Sequence, residues 1–179
     1  MERQPKREQH IDKLMFIFDK CREDDYDSAL EKIEDLIVDA PDDVDLGLIK
    51  ISILSDMDKK DEAEKLVNYW YEHAGNNHNV RLRYAQFLIE QERYDEVFEM
   101  FGNQPGLNAI TTDDVLFTLD NITDFCACYI MTWLSKDNIE EAEPYYRLLF
   151  LFNHFSYFGR DAMLSMAEKK KKFVMEKLA

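Results

Sequence analysis

The chain has 179 residues, of which 46% are hydrophobic and 33% are charged, and its formal net charge is −15. This apolar fraction is sufficient for a buried core and excludes a disordered chain. The excess of carboxylates repels phosphate backbones and anionic lipids, so we expect neither nucleic acid nor a membrane as a partner. The same charge would either attract a basic protein or only keep the chain in solution.

Cysteine usage and the polarity of the N-terminus indicate the compartment. The three cysteines are odd in number and have no framework spacing, which argues against a secreted disulfide scaffold. The first thirteen residues are polar and lack the apolar segment of a signal peptide. The apolar run at residues 148–152 is too short to span a bilayer. These features predict a cytoplasmic protein.

Taken in chain order, three short segments recur every 34 residues. They begin at Tyr26, Lys60 and Tyr94 and read Tyr-Asp-Ser-Ala, Lys-Asp-Glu-Ala and Tyr-Asp-Glu-Val. A fixed period of this size marks an array of supersecondary units, each too small to bury its own apolar face. The sequence therefore predicts stacked repeats.

Each 34-residue unit is predicted to form a helix, a tight turn and a second helix. In the first unit, apolar residues at three- and four-residue spacing predict an amphipathic first helix, namely Ile11, Leu14, Met15, Phe18 and Cys21. Asp24 and Asp25 then provide turn chemistry. Gly75 is predicted to end the second unit in a left-handed conformation. In the third unit, Gly102 predicts a short second helix.

A fourth unit follows an insertion of eleven residues. Asn138 to Ala142 repeats the turn and the small residue that follows it. Because the stretch from Val115 to Trp133 keeps helical spacing without proline, we predict that the first helix of this unit is lengthened and starts near Thr112. The alternative is a separate short helix at 112–120. The last helix is predicted at about 158–177, with Lys169 to Lys172 as a solvated part of a capping helix.

The period and the small-residue position resemble the tetratricopeptide repeat family. That family has a small residue early in the second helix, an apolar residue four later and proline near the end. These positions are filled by Ala29, Ile33 and Pro41, by Ala63, Val67 and Gly75, and by Val97, Phe101 and Ala109. The early tryptophan and the glycine of the family are absent. A small residue is needed because the two helices of a unit cross closely.

The resemblance implies an all-α fold, a right-handed superhelix of about four helix-turn-helix units with a C-terminal capping helix. It also implies one domain over residues 1–179. The repeats and the cap would lie at about 10–43, 44–77, 78–110, 112–155 and 158–177.

Catalytic and metal-binding patterns are not recognisable in the sequence. His73 and His78 have no acid or thiolate at ligand spacing beside them, and Cys126 and Cys128 point to different faces of a helix. The carboxylate pairs fall in turns or at helix starts, where they cap helices. No phosphate-binding glycine loop or nucleophile motif is present. We expect a protein without enzyme activity or cofactor.

The resemblance also implies where a partner protein or peptide would bind, because the first helices of such units line a concave groove. The matching positions are Leu14, Phe18, Leu48, Ser52, Leu82, Arg83, Gln86, Ile89, Met131 and Leu134. An error of one residue in helix phase would instead place about half of them in the core. The basic clamp that one subclass uses for heat-shock carboxylates is not matched, since only Arg83 would fit.

Three functions remain open at this stage. Acidity, size and an apolar groove resemble small repeat chaperones of type III secretion, so an adaptor or chaperone leads. A second hypothesis is an acidic inhibitor or immunity-type protein that neutralises a basic enzyme. A third is a subunit of a larger assembly that is seated by the apolar residues from Leu148 to Phe158.

Overall fold

A computed structural model describes residues 4–102, 117–152 and 157–178, and within these ranges it contains nine α-helices and no strand. The helices in chain order are α1 (Gln4–Arg22), α2 (Tyr26–Asp39), α3 (Val44–Asp56), α4 (Lys60–Ala74), α5 (His78–Glu90), α6 (Tyr94–Phe101), α7 (Leu119–Ser135), α8 (Ile139–Phe152) and α9 (Tyr157–Leu178). The all-α prediction is confirmed, and the second helices α2, α4 and α6 begin at the three recurring segments.

The chain divides into two compact units, Met1–Gly75 and Asn76–Ala179. In the first unit, α1 packs on α2, α2 on α3 and α3 on α4. One core cluster of this unit contains Ile17, Ala29, Ile33, Leu36, Leu46 and Ile53. The second unit is built around α7, which packs against α5, α6, α8 and α9.

The core of the second unit combines small side chains with stacked aromatic rings. Ala127, Ala142 and Ala162 are fully buried and allow the helices to approach closely. The rings of Tyr129 and Tyr145 are stacked with centroids 4.8 Å apart. The Tyr129 hydroxyl donates a hydrogen bond to the Gly102 carbonyl oxygen at 2.9 Å, which ties the end of α6 to α7.

The turns between paired helices all have the same backbone geometry. One acidic residue in each turn is left-handed, with φ of 58° at Asp24, 56° at Asp58, 58° at Glu92 and 53° at Asp137. In each turn, the backbone amide of the residue after the left-handed one donates a hydrogen bond to the carbonyl oxygen five residues before it, at N–O distances from 2.8 to 3.0 Å. This is the Schellman arrangement that closes a helix C-terminus. A shared cap therefore underlies the repeated segments.

The small positions of the second helices lie where the sequence predicts them. Ala29 and Ala142 are fully buried, and Ala63 and Val97 are buried to at least 95%. The carboxylate pairs act as predicted at two helix starts, since Asp25 and Asp43 accept hydrogen bonds from backbone amides of the first turn. The short second helix of the third unit is also confirmed, because α6 has 8 residues and is capped at its C-terminus by Gly102 with φ of 70°.

The prediction of a helix running on from Thr112 is wrong. Helix α7 begins at Leu119 because Thr118 forms a capping box with Asn121, in which each side chain accepts a hydrogen bond from the other residue's backbone amide. Leu119, which lies within the helically spaced stretch from Val115 to Trp133, is 47% exposed. The start of the predicted helix and most of the alternative helix at 112–120 lie outside the described residues.

The conformation predicted for Gly75 is also wrong. This residue has φ of −62° and ψ of −9°, which is right-handed. A Cβ added there would lie 2.5 Å from the Tyr71 carbonyl oxygen, so close backbone approach explains why glycine fits. Left-handed geometry is instead found at the acidic residues between paired helices.

Helix α9 confirms the predicted last helix, and the apolar side chains along it differ in burial. Ala162 and Met166 are fully buried, whereas Phe173 and Val174 are about half exposed. The division into one domain with four repeats and a cap remains a prediction.

Candidate functional site

An exposed apolar stripe runs along α1 in the first unit. Ile11, Met15 and Phe18 are 50%, 59% and 48% exposed, and the half-buried Leu14 lies between them. Their spacing places all four side chains on one helix face. Ile17, on another face, is fully buried in the core of the unit. Two predicted partner-binding residues, Leu14 and Phe18, therefore belong to an accessible surface.

The two predicted residues on α3 are also accessible to different degrees. Leu48 is half-buried, and Ser52 is exposed with its hydroxyl donating to the Leu48 carbonyl oxygen at 3.2 Å. A serine that bonds to the preceding turn is satisfied within its own helix. Of this pair, Leu48 is the apolar residue, and its side chain is partly accessible.

On α5, the predicted residues are mostly buried. Leu82 and Ile89 are 3% and 5% exposed and belong to the core of the second unit, and Gln86 is 9% exposed. Arg83 is half-buried, and its guanidinium donates to the Gln86 side chain at 3.3 Å and lies 3.8 Å from the Glu90 carboxylate. Leu82 and Ile89, which the repeat pattern assigns to a groove, are thus buried where α5 packs in the core of the second unit.

On α7, both predicted residues line a cavity of about 570 Å³ in the second unit. Met131 is half-buried and Leu134 is 6% exposed, and Tyr94 at the start of α6 completes an apolar wall. This volume falls within the range of about 300–1,000 Å³ that is typical of ligand pockets. The remaining lining comes from the turn before α6, from the end of α7 and the turn that follows it, and from α9.

The lysine run in α9 supplies ion pairs to neighbouring elements. Lys169 pairs with Asp137, and Lys170 pairs with Glu143 while its ammonium lies 4.3 Å from the centroid of the Tyr146 ring. The hydrogen bond from Lys169 lowers the pKa of Asp137, and the hydrogen bond from Lys170 lowers that of Glu143. Two of the four lysines therefore fasten α9 to the turn before α8 and to α8 itself.

Sequence reasoning placed Ile11 and Met15 on the apolar face of α1 and left them out of the predicted site. It did not connect Tyr94 or the α9 residues with Met131 and Leu134, because they are far apart in sequence. The 34-residue period identifies equivalent helices. It carries no signal for a cavity that depends on how the fourth unit and α9 pack.

The histidines, cysteines and acids of the described ranges form no cluster suited to a metal ion. Burial raises the pKa of the Cys126 thiol to about 12 and that of Cys128 well above its usual value, which keeps both thiols protonated. Among the helices that the structure describes, none has the length and apolarity needed to cross a membrane.

Comparison with solved structures shows the fold. The chain is similar to the crystal structure of a tetratricopeptide repeat protein from Parabacteroides merdae ATCC 43184, with a TM-score of 0.57 and 13% sequence identity. The match covers 93% of this chain and spans 62% of the length of that protein. The all-α chain therefore has a tetratricopeptide-repeat-like fold.

Sequence comparisons find no relative. No protein-family model matches the chain, and no curated protein matches it. Degenerate repeats fit this result, because the early tryptophan and the glycine of the repeat pattern are missing while the period and the small-residue position are kept.

Proposed function

We propose that this protein is an interaction module, an adaptor or a chaperone, that holds an apolar segment of another protein. The observation that supports this proposal is the stripe of Ile11, Leu14, Met15 and Phe18 on α1. Three of the four side chains are about half exposed or more. Contiguous apolar surface of this kind is typical of protein-binding sites.

The spacing of the stripe fits a known mode of recognition. Residues at positions i, i+3, i+4 and i+7 form a continuous ridge that packs against an apolar helix or extended segment. Complete burial of an isoleucine, methionine or phenylalanine side chain contributes about 1.5–3 kcal/mol relative to full exposure. Covering the exposed parts of four such residues would therefore support a specific complex.

The decisive experiment compares capture of partner proteins by three versions of the chain. In the test variant, Met15→Asp and Phe18→Asp place two carboxylates on the stripe. The control is Val38→Asp, since Val38 on α2 is 81% exposed and lies outside the stripe. Proteins retained from a lysate of the source organism are quantified by mass spectrometry, and circular dichroism checks helical content.

We expect that the wild-type chain and Val38→Asp retain the same partner equally. The double variant should fail to retain this partner although its helical content is unchanged. Retention of the same proteins by all three would refute the assignment of the stripe. If the double variant loses helical content, the capture is repeated with Met15→Ser combined with Phe18→Ser, which reduces the apolar surface without adding charge.

A second candidate function is an acidic inhibitor or immunity-type protein that neutralises a basic enzyme. The formal net charge of −15 favours it. A complex held by such a charge weakens steeply as salt is added, because surface charges are screened over about 10 Å at 0.1 M salt. A partner lost at high salt from wild type and both variants alike would favour this function over binding by the stripe.

A further inference from the structure

The cavity at the end of α7 has an apolar wall and a charged rim. Tyr94, Met131 and Leu134 form the wall, and Glu92 and Glu168 contribute carboxylates from the turn before α6 and from α9. All of these residues belong to the second unit. The cavity is therefore built by elements within one compact unit.

The charges of the rim are unequally compensated. The Lys169 ammonium is paired with Asp137, and the Lys172 ammonium lies 3.9 Å from the Glu176 carboxylate. Within the described parts of the chain, Glu92 and Glu168 take part in no ion pair. Both cavity lysines thus lie beside carboxylates of their own chain, while two lining carboxylates have no cationic partner among the described residues.

We propose that the cavity takes a basic side chain and an adjacent apolar side chain from a segment of a partner protein. The aliphatic stem of an arginine or lysine would lie along Met131 and Tyr94, and its cationic head would reach Glu92 and Glu168. Long basic side chains bury their stems on apolar surface while the charge pairs at the edge. The net charge of −15 would steer such a segment toward this protein. This inference rests on the proposed function, since the occupant is part of a partner protein.

The test uses the full chain and two synthetic pentapeptides, acetylated and amidated at their ends. One has the sequence Gly-Leu-Arg-Leu-Gly, and in the other glutamate replaces arginine. Binding is followed by nuclear magnetic resonance through the backbone amides of Ser135 and Ser165, which line the cavity. We expect saturable shifts of these amides with the arginine peptide and none with the glutamate peptide.

Two double variants separate the cavity from the general charge of the protein. Glu92→Gln with Glu168→Gln should weaken binding of the arginine peptide by about tenfold or more, because two charge-assisted contacts are removed. Glu72→Gln with Glu99→Gln removes the same charge from exposed positions on α4 and α6. This control should bind within about twofold of wild type, since distant exposed charges are screened.

The inference is overturned if the cavity amides do not shift up to millimolar peptide, if both peptides shift them equally, or if the two double variants bind alike. These results leave the stripe untouched, so a partner lost from Met15→Asp with Phe18→Asp would still support the proposed function. Conversely, the arginine peptide alone could shift the cavity amides while the stripe variant captures its partner as wild type does. That result would support the cavity as a binding site and refute the stripe as the partner-binding surface.

Discussion

Gly47 on α3 lies directly under the indole ring of Trp70 on α4. A Cβ added to Gly47 would be 2.1 Å from the indole nitrogen and 2.3 Å from Cε2. Gly47 and Trp70 are both buried, and α3 and α4 pack against one another. A missing side chain on one helix thus makes room for the largest side chain on its neighbour.

Replacing this glycine should lower stability. Gly47→Ala gains helix propensity of about 1 kcal/mol, but the rigid indole must move by more than half an ångström to avoid the new methyl group. Overpacking of this kind costs about 1–3 kcal/mol, so a net loss is expected in urea denaturation. In a protein that already carries Trp70→Leu, Gly47→Ala should cost less stability than it does in wild type, because the indole is no longer there to clash with the new methyl group. Equal effects of Gly47→Ala in both backgrounds would contradict the close contact.

Replacing the left-handed Glu92 by glycine should raise stability. Glu92 has φ of 58°, a conformation that lowers stability by roughly 1–2 kcal/mol for a residue with a side chain. Glycine avoids this cost, but its greater conformational freedom in the unfolded chain offsets part of the gain. We expect Glu92→Gly to raise the free energy of unfolding by about 0.5–1 kcal/mol. The matched control Glu99→Gly, within α6, should lower it by about 1 kcal/mol. The same sign for both variants would contradict this account of the turn.

Removing the capping box of α7 should destabilise the second unit. The Thr118 hydroxyl accepts from the Asn121 amide at 3.2 Å, and the Asn121 side chain accepts from the Thr118 amide at 3.0 Å. Thr118→Ala should cost about 0.5–2 kcal/mol in chemical denaturation, and Thr118→Ser should keep most of the stability because serine caps equally well. A serine variant as unstable as the alanine variant would point to packing of the threonine methyl group.

Thiol reactivity should distinguish the half-buried cysteine from the two buried ones. Burial raises the pKa of all three thiols, but Cys126 and Cys128 are fully buried, whereas Cys21 is only half-buried. Because the thiolate is the reactive form, an aromatic disulfide reagent at pH 8 should label Cys21 first. The other two thiols should react only at the rate of unfolding, and Cys21→Ser should abolish the fast phase. Fast labelling of that variant would contradict the buried positions on α7.

Protonation of Asp25 should contribute to acid unfolding. Its hydrogen bonds with Ser28 and Lys20 lower its pKa below the usual 3.8. A carboxylate with a lowered folded pKa stabilises the protein above its unfolded pKa, and this contribution is lost as the pH falls through the folded pKa. Between pH 5 and pH 2, Asp25→Asn should therefore show a shallower decline in unfolding free energy than wild type, since asparagine caps the helix without titrating. Identical slopes would show that Asp25 has no role in acid unfolding.

The sequence by itself determined the helical class, the period and most helix ends. Apolar spacing predicts helices, and local chemistry ends them, as at the Asp24–Asp25 turn and at Gly102. Such signals act over a few residues, so they survive without knowledge of the rest of the chain. The start of α7 was locally encoded as well, because the capping box spans only Thr118 and Asn121, but the longer apolar spacing masked it.

Only the tertiary structure decided which apolar positions are buried and which face solvent. Leu14 and Leu82 occupy related helices and look alike in sequence, yet Leu14 is only half-buried at the edge of the first core, whereas Leu82 is buried within the core of the second unit. Burial depends on the helices that pack around a side chain, and those neighbours lie tens of residues away in the chain. The cavity beside Met131 follows the same rule, since α9 supplies part of its wall. A repeat period specifies the unit, whereas contacts between elements specify the surface that is left for a partner.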